Sequence, residues 1–216
     1  MDVDGDGIAD VILQSKDYLF DLDGTSGNLQ QILNVTSGLY YHTPVLMDVD
    51  GSGNPVLLLG AGYTDMALVG LDGFSYWRKS TSAWGLWDLI GRQPGVAYAN
   101  GDGVKHIGIS HSNGLFECIN GVTGLTEWTW QLPTLATNIA TSDIAGDGNN
   151  EFVFGTLDGN VVALSAQASP AQRVLWSVNL GKSVGDVVIA DVLGTGHSQV
   201  LAVAGDGYLY IIDQGN

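Results

Sequence analysis

Residues 2–10 read Asp-Val-Asp-Gly-Asp-Gly-Ile-Ala-Asp. Carboxylates at the first, third, fifth and ninth positions of a glycine-bearing loop are the donor type that hard cations take. Calcium accepts six to eight oxygens from a flexible loop, whereas magnesium demands stricter octahedral geometry. Asp2, Asp4, Asp6, the carbonyl of Ile8 and Asp10 form one candidate ligand set. Four carboxylates gathered into nine residues repel one another unless a cation joins them. The expected cofactor is therefore Ca2+.

The loop recurs from Asp48, Tyr98, Asp143 and Asp191, at spacings of 46, 50, 45 and 48 residues. A period in this range signals a repeat architecture. Two positions never change. The fourth is Gly5, Gly51, Gly101, Gly146 and Gly194, and the sixth is Gly7, Gly53, Gly103, Gly148 and Gly196. Glycine twice at fixed offsets predicts backbone angles with positive φ. The acids drift between copies. Loop four keeps Asp143, Asp147, Asn149 and Glu151, with Ala145 at position three. Loop two keeps Asp48, Asp50, Ser52 and Asn54, with Val56 at position nine. Loop three, with Tyr98 first and His106 last, and loop five, with Asp191 as its one acid, are the poorest sets. What the copies share is a loop shape, which Asx hydrogen bonds also hold without metal.

An EF-hand needs a bidentate Glu at position twelve and flanking helices. Position twelve is Leu13, and the flanks are short runs of Val, Ile and Leu bounded by turn residues, which predict strands. Aligned on the loop, each unit carries strand A before it, strand B after it, an Asn-Gly or Asp-Gly hairpin turn, strand C, and strand D. Four antiparallel strands in about 47 residues predict an all-β fold, a β-propeller. No amphipathic helical period supports parallel βαβ units.

The predicted blades span about 1–40, 41–88, 89–134, 135–180 and 181–216 of one propeller domain or arc. The first lacks strand A and the last lacks strand D. The expectation is a partial propeller, a fragment of a larger one or an arc completed by another chain, with open blade edges prone to self-association.

The loops, Asp2–Leu13 above all, resemble FG-GAP repeats, the calcium-loop blades of the integrin α-subunit propeller. The segments between them also resemble PQQ-like repeats: Cys118–Trp128 follows their Asp-x-x-Thr-Gly…Trp pattern with Asn120 for Asp, and the stretch from Asp21 follows it without the Trp. The resemblance implies a propeller with metal loops in its A–B hairpins. It implies neither an integrin's ligand nor a quinone cofactor.

Composition narrows the function. With 45% hydrophobic residues, disorder is excluded. A net charge of −16 with seven Lys and Arg argues against nucleic acid and anionic membranes. No apolar run approaches the roughly 18 residues of a membrane helix, and Met1 leads directly into the acidic loop. Cys118, the single cysteine, forms no internal disulfide and reads as a packed strand residue. Asn34-Val35-Thr36 is a glycosylation sequon in a eukaryotic secretory setting.

No Gly-x-Ser-x-Gly, phosphate loop or nucleophile–base pair appears, so no enzyme activity is expected. His106, His111 and His197 read as solvated or hydrogen-bonded. Trp128, Trp130 and Trp176 read as interblade packing. Tyr40, Tyr41, His42, Trp84, Trp87 and Arg92 fall on the crossings opposite the metal loops and form a candidate ligand-binding surface. The expected function is a calcium-stabilised, extracytoplasmic binding or adhesion module, secreted, cell-surface or periplasmic, whose partner is an extracellular protein or glycan. A lectin, or a non-catalytic part of a polysaccharide lyase or hydrolase, is the alternative.

Overall fold

Short β-branched and leucine-rich runs alternate with Gly, Asp and Asn turns along the whole chain, and strands form where the runs are. The computed structural model describes residues 2–15, 18–34, 44–61, 65–80, 93–167, 169 and 171–213, and among these there is no helix. The strands build five antiparallel sheets in which each strand pairs with the next in sequence.

The first sheet holds β1 (Val11–Ser15), β2 (Tyr18–Leu22) and β3 (Leu29–Asn34). The second holds β4 (Val45–Asp48), β5 (Pro55–Ala61), β6 (Asp65–Gly70) and β7 (Ser75–Ser80). The third holds β8 (Gly95–Tyr98), β9 (Lys105–Ser110), β10 (Leu115–Asn120) and β11 (Thr126–Gln131). The fourth holds β12 (Ala136–Ser142), β13 (Glu151–Thr156), β14 (Asn160–Ser165) and β15 (Val174–Asn179). The fifth holds β16 (Val184–Ala190), β17 (Gln199–Ala204) and β18 (Leu209–Ile212). The all-β, four-stranded antiparallel unit expected from the repeat is thus present.

The residues fall into two compact units, Met1–Gly91 with Val122–Gly124 and Arg92–Gly121 with Leu125–Asn216. In the first unit Leu19 of β2 packs with Leu57, Leu59, Ala67 and Val69 of the second sheet. In the second unit the fourth sheet is covered on both faces. Phe152, Phe154, Val162 and Leu164 meet Phe116, Cys118 and Trp128 of the third sheet. Val153, Val161 and Ala163 meet Val184, Val187, Val200 and Ala202 of the fifth. A strand buried on both faces needs no polar alternation, and β13 is buried along its whole length. Each buried Phe contributes about 1.5–3 kcal/mol by leaving water.

Cys118 is fully buried, as expected of a packed strand residue. Trp128 stacks on Phe116 at 5.7 Å, beneath the guanidinium of Arg173 at 3.6 Å. Trp176 lies partly buried against the core of the fourth and fifth sheets. Trp130 departs from expectation and is 39% exposed. It lies on β11, the outermost strand of its sheet, where only one flank is covered by a neighbouring strand.

Candidate metal centre

The five A–B loops share one backbone shape. All ten repeated glycines have positive φ, from 64° at Gly101 to 89° at Gly7. At Gly7 a Cβ would meet no atom within 4 Å, so conformation and not space demands glycine there.

The acid at position one clamps this shape. Its Oδ2 accepts the N–H of the sixth-position glycine at 2.8 Å in Asp2 and Gly7, and at 2.9 Å in Asp48 and Gly53. The same bond measures 2.9 Å in Asp143 and Gly148 and in Asp191 and Gly196. Asp2 Oδ1 also accepts the Gly5 N–H at 2.7 Å. The Gly7 N–H, first among several donors, holds the Asp2 carboxyl below its ordinary pKa, and the Gly196 N–H does the same for Asp191. Positions three and five make Asx turns: Asp4 accepts from Asp6 N–H at 3.0 Å, and Asp6 from Ile8 N–H at 2.8 Å. In loop two, Asp50 accepts from Ser52 N–H at 3.0 Å, and Ser52 Oγ from Asn54 N–H at 3.3 Å. In loop four, Asp147 accepts from Asn149 N–H at 2.9 Å.

Position nine closes the loop from the strand side. Asp10 Oδ2 accepts the Val3 N–H at 2.7 Å. Glu151 Oε2 accepts the N–H groups of Ile144 and Ala145 at 2.9 and 3.1 Å. Burial nevertheless pushes the Glu151 carboxyl up to about 7, against these N–H bonds, with the charges of Asp147 and Asp143 adding to the rise.

Loop one is where acids converge. Ligand oxygens of Asp2, Asp4 and Asp10 lie within 4.8 Å of one another, and so do those of Asp4, Asp6 and Asp23. Among the described residues these are the groups of three metal-ligating side chains, and loops two and four contribute none. The donor set is all oxygen, as calcium requires. Asp23 was not among the sequence-derived ligands. It belongs to the turn between β2 and β3, where its Oδ1 accepts the N–H groups of Thr25 at 2.9 Å and Ser26 at 2.6 Å. Gln30 Nε2 bridges the turn and the loop, donating to Asp4 Oδ2 at 2.6 Å and to Asp23 Oδ2 at 3.4 Å.

A family model described as integrin-alpha FG-GAP repeat-containing protein 2 matches residues 133–216. The repeats have FG-GAP character. The KICSTOR complex protein ITFG2 of Bos taurus is 40% identical over 62 residues, 29% of this chain. Those residues are 11% of that relative's length.

Solved structures agree on the fold. Saccharomyces cerevisiae Sqt1 superposes with a TM-score of 0.71 at 12% identity, covering 99% of this chain and 57% of that one. BBS1N, solved in complex with ARL6DN, gives 0.70 at 11% identity, covering 91% and 58%. The C-terminal domain of Pseudomonas aeruginosa PilY1 gives 0.63 at 16% identity, covering 91% and 52%. The fold of this chain is therefore of the β-propeller class.

The FG-GAP match includes loops four and five, whereas the acid-rich loop one lies outside it. Tyr40, Tyr41, His42, Trp84, Trp87 and Arg92, the candidate ligand surface, lie outside the described residues.

The histidines of the third sheet are hydrogen-bonded, with glutamate partners that the sequence did not announce. His106 Nε2 lies 3.1 Å from Glu127 Oε2, whose Oε1 accepts from Asn120 Nδ2 at 3.0 Å. His111 Nε2 lies 3.1 Å from Glu117 Oε2, and Thr126 Oγ1 donates to Glu117 Oε1. His106 of β9 reaches Glu127 of β11 across the sheet, and His111 of the β9–β10 turn reaches Glu117 of β10, so no local spacing announces either pair. His197 is more exposed and sits 3.2 Å from Asp213.

Proposed function

We propose that this chain is a calcium-stabilised FG-GAP propeller module whose task is to bind another protein. The calcium part is carried by one observation, the convergence of Asp2, Asp4, Asp6, Asp10 and Asp23 at the first loop. The Asx and N–H bonds shape the loop but leave its negative charges adjacent, and a hard divalent cation is the ligand that removes this repulsion. Loops two and four, with fewer acids, are secondary sites through Asp48, Asp50, Ser52 and Asn54 and through Asp143, Asp147, Asn149 and Glu151. Affinities in the range of extracellular modules, roughly 10⁻⁴–10⁻³ M, fit such loops. A site of that strength fills where calcium is abundant, which places the loaded form outside the cytoplasm.

The interaction part is supported by likeness. One relative is named as a KICSTOR complex protein, and one structural neighbour was solved with ARL6DN bound. Calorimetric titration with CaCl2 tests the metal claim. Binding that Asp4→Asn abolishes supports it, and the absence of heat at millimolar calcium overturns it.

A further inference from the structure

The first repeat contains a buried carboxylate that nothing in its own strand explains. Asp21 stands in the middle of β2, paired with Ile12 of β1 and Gln31 of β3. It is 6% exposed, and its buried Oδ1 has no hydrogen-bond partner. It shares its face of the sheet with Leu19, two residues earlier, which is part of the core. The corresponding place in the third sheet is held by Cys118, fully buried among Phe116 and Trp128. A carboxylate at such a place is costly unless a positive charge faces it.

What does face it is more negative charge. Asp10 precedes Ile12 by two residues, so strand alternation puts Asp10 and Asp21 on one face as diagonal neighbours. Burial, and after it the charges of Asp10 and Asp4, push the Asp21 carboxyl above its ordinary pKa. Asp21 therefore borders the same acidic group that the loop and the β2–β3 turn create.

The turn is held hard against that loop. Gly24 N–H donates to Asp10 Oδ1 at 3.2 Å, and a Cβ on Gly24 would fall 1.9 Å from the Ala9 carbonyl oxygen. Asp23 is thereby fixed with Asp4 and Asp6 within 4.8 Å.

We propose that the cation site of the first repeat is not confined to the A–B loop: Asp23 from the β2–β3 turn is a further carboxylate of the calcium site, and the buried charge of Asp21 on β2 borders that site. Asp23 joins Asp4 and Asp6 on the turn side. Asp21 lies outside the groups whose oxygens come within 4.8 Å of one another, and acts on the ion through its charge from the sheet side, beside Asp10. The ion then ties strand C and its turn to the A–B loop. This proposal rests on the calcium reading of loop one, and adds to it two residues that lie outside the nine-residue motif.

The test is a calcium titration of the intact 216-residue chain and its Asp21→Asn, Asp23→Asn and Asp4→Asn variants, with melting in EDTA as a fold control. Asn keeps the shape and the turn-forming oxygen while removing the charge. The expected result is a loss of about tenfold or more in calcium affinity for Asp21→Asn and for Asp23→Asn. Asp21→Asn is further expected to melt higher than the native chain in EDTA, because a buried unpartnered charge is gone. A residue with only a structural role would not move affinity and metal-free stability in opposite directions. If Asp4→Asn abolishes binding while both new variants bind within about twofold of the native chain, the site ends at the loop and the proposal fails alone. If only one variant loses affinity, the other residue is struck from the site. If the native chain binds no calcium, this proposal and the calcium reading fall together.

Discussion

Glu151 and Gln199 occupy the same ninth position of successive loops and make the same pair of bonds. Glu151 Oε2 accepts from Ile144 and Ala145 at 2.9 and 3.1 Å, and Gln199 Oε1 accepts from Val192 and Leu193 at 3.0 and 3.2 Å. Both side chains are buried. The position is a clamp on the first turn of the loop, and a neutral amide performs it as well as a carboxylate. In loop four, one oxygen of the candidate ligand Glu151 is thus committed to the backbone.

A pH dependence follows. The Glu151 carboxyl is raised from 4.5 to about 7, so the folded state prefers its neutral form. The sign is that of a raised acid: the penalty is absent below about pH 4.5 and grows as pH rises toward 7. In EDTA, Glu151→Gln is expected to flatten this part of the stability profile. At pH 8 it should stabilise the fold by about 1–3 kcal/mol. Urea melts across that pH range check it, and a variant less stable than the native chain at pH 8 contradicts it.

Two glycines should fail for different reasons. Gly148 has φ 85° with no atom within 4 Å of a Cβ, so Gly148→Ala meets only backbone strain, about 1–2 kcal/mol. Gly155 has ordinary angles, but its Cβ would lie 2.2 Å from Val184 Cγ1. Gly155→Ala is therefore expected to cost about 1–3 kcal/mol through overpacking between the fourth and fifth sheets. Trimming the neighbour in a Gly155→Ala, Val184→Ala pair should recover part of that loss by relieving the clash, and no recovery would contradict the account.

Cys118 should be inert. Burial pushes its thiol well above the usual range, and the thiolate is the reactive form. A thiol reagent is expected to label the folded chain only at the rate at which it unfolds. Rapid stoichiometric labelling under native conditions contradicts the packing of the third and fourth sheets.

Much of this was legible in the chain. The paired glycines announced positive φ because no other residue accepts it cheaply, and the apolar runs between them announced strands. Asp23 was visible only as a turn residue, since its Asp-x-x-Ser-Gly setting explains it locally. Asp21 was visible only as the start of a PQQ-like stretch. Only strand pairing shows that it lies diagonal to Asp10 on the core face. The pair of His106 with Glu127 also arises from strand pairing, which local patterns do not encode. Position nine has a second role, bonding to the backbone of the loop, that its residue types did not announce. Only the bonds of Gln199, the same as those of Glu151, reveal it.

The central claim is that a cation at the first loop stabilises the fold, and thermal melting tests it most directly. The native chain should melt higher in millimolar calcium than in EDTA, and Asp4→Asn should abolish most of that gain. Equal melting temperatures for the native chain in calcium and in EDTA would contradict the account.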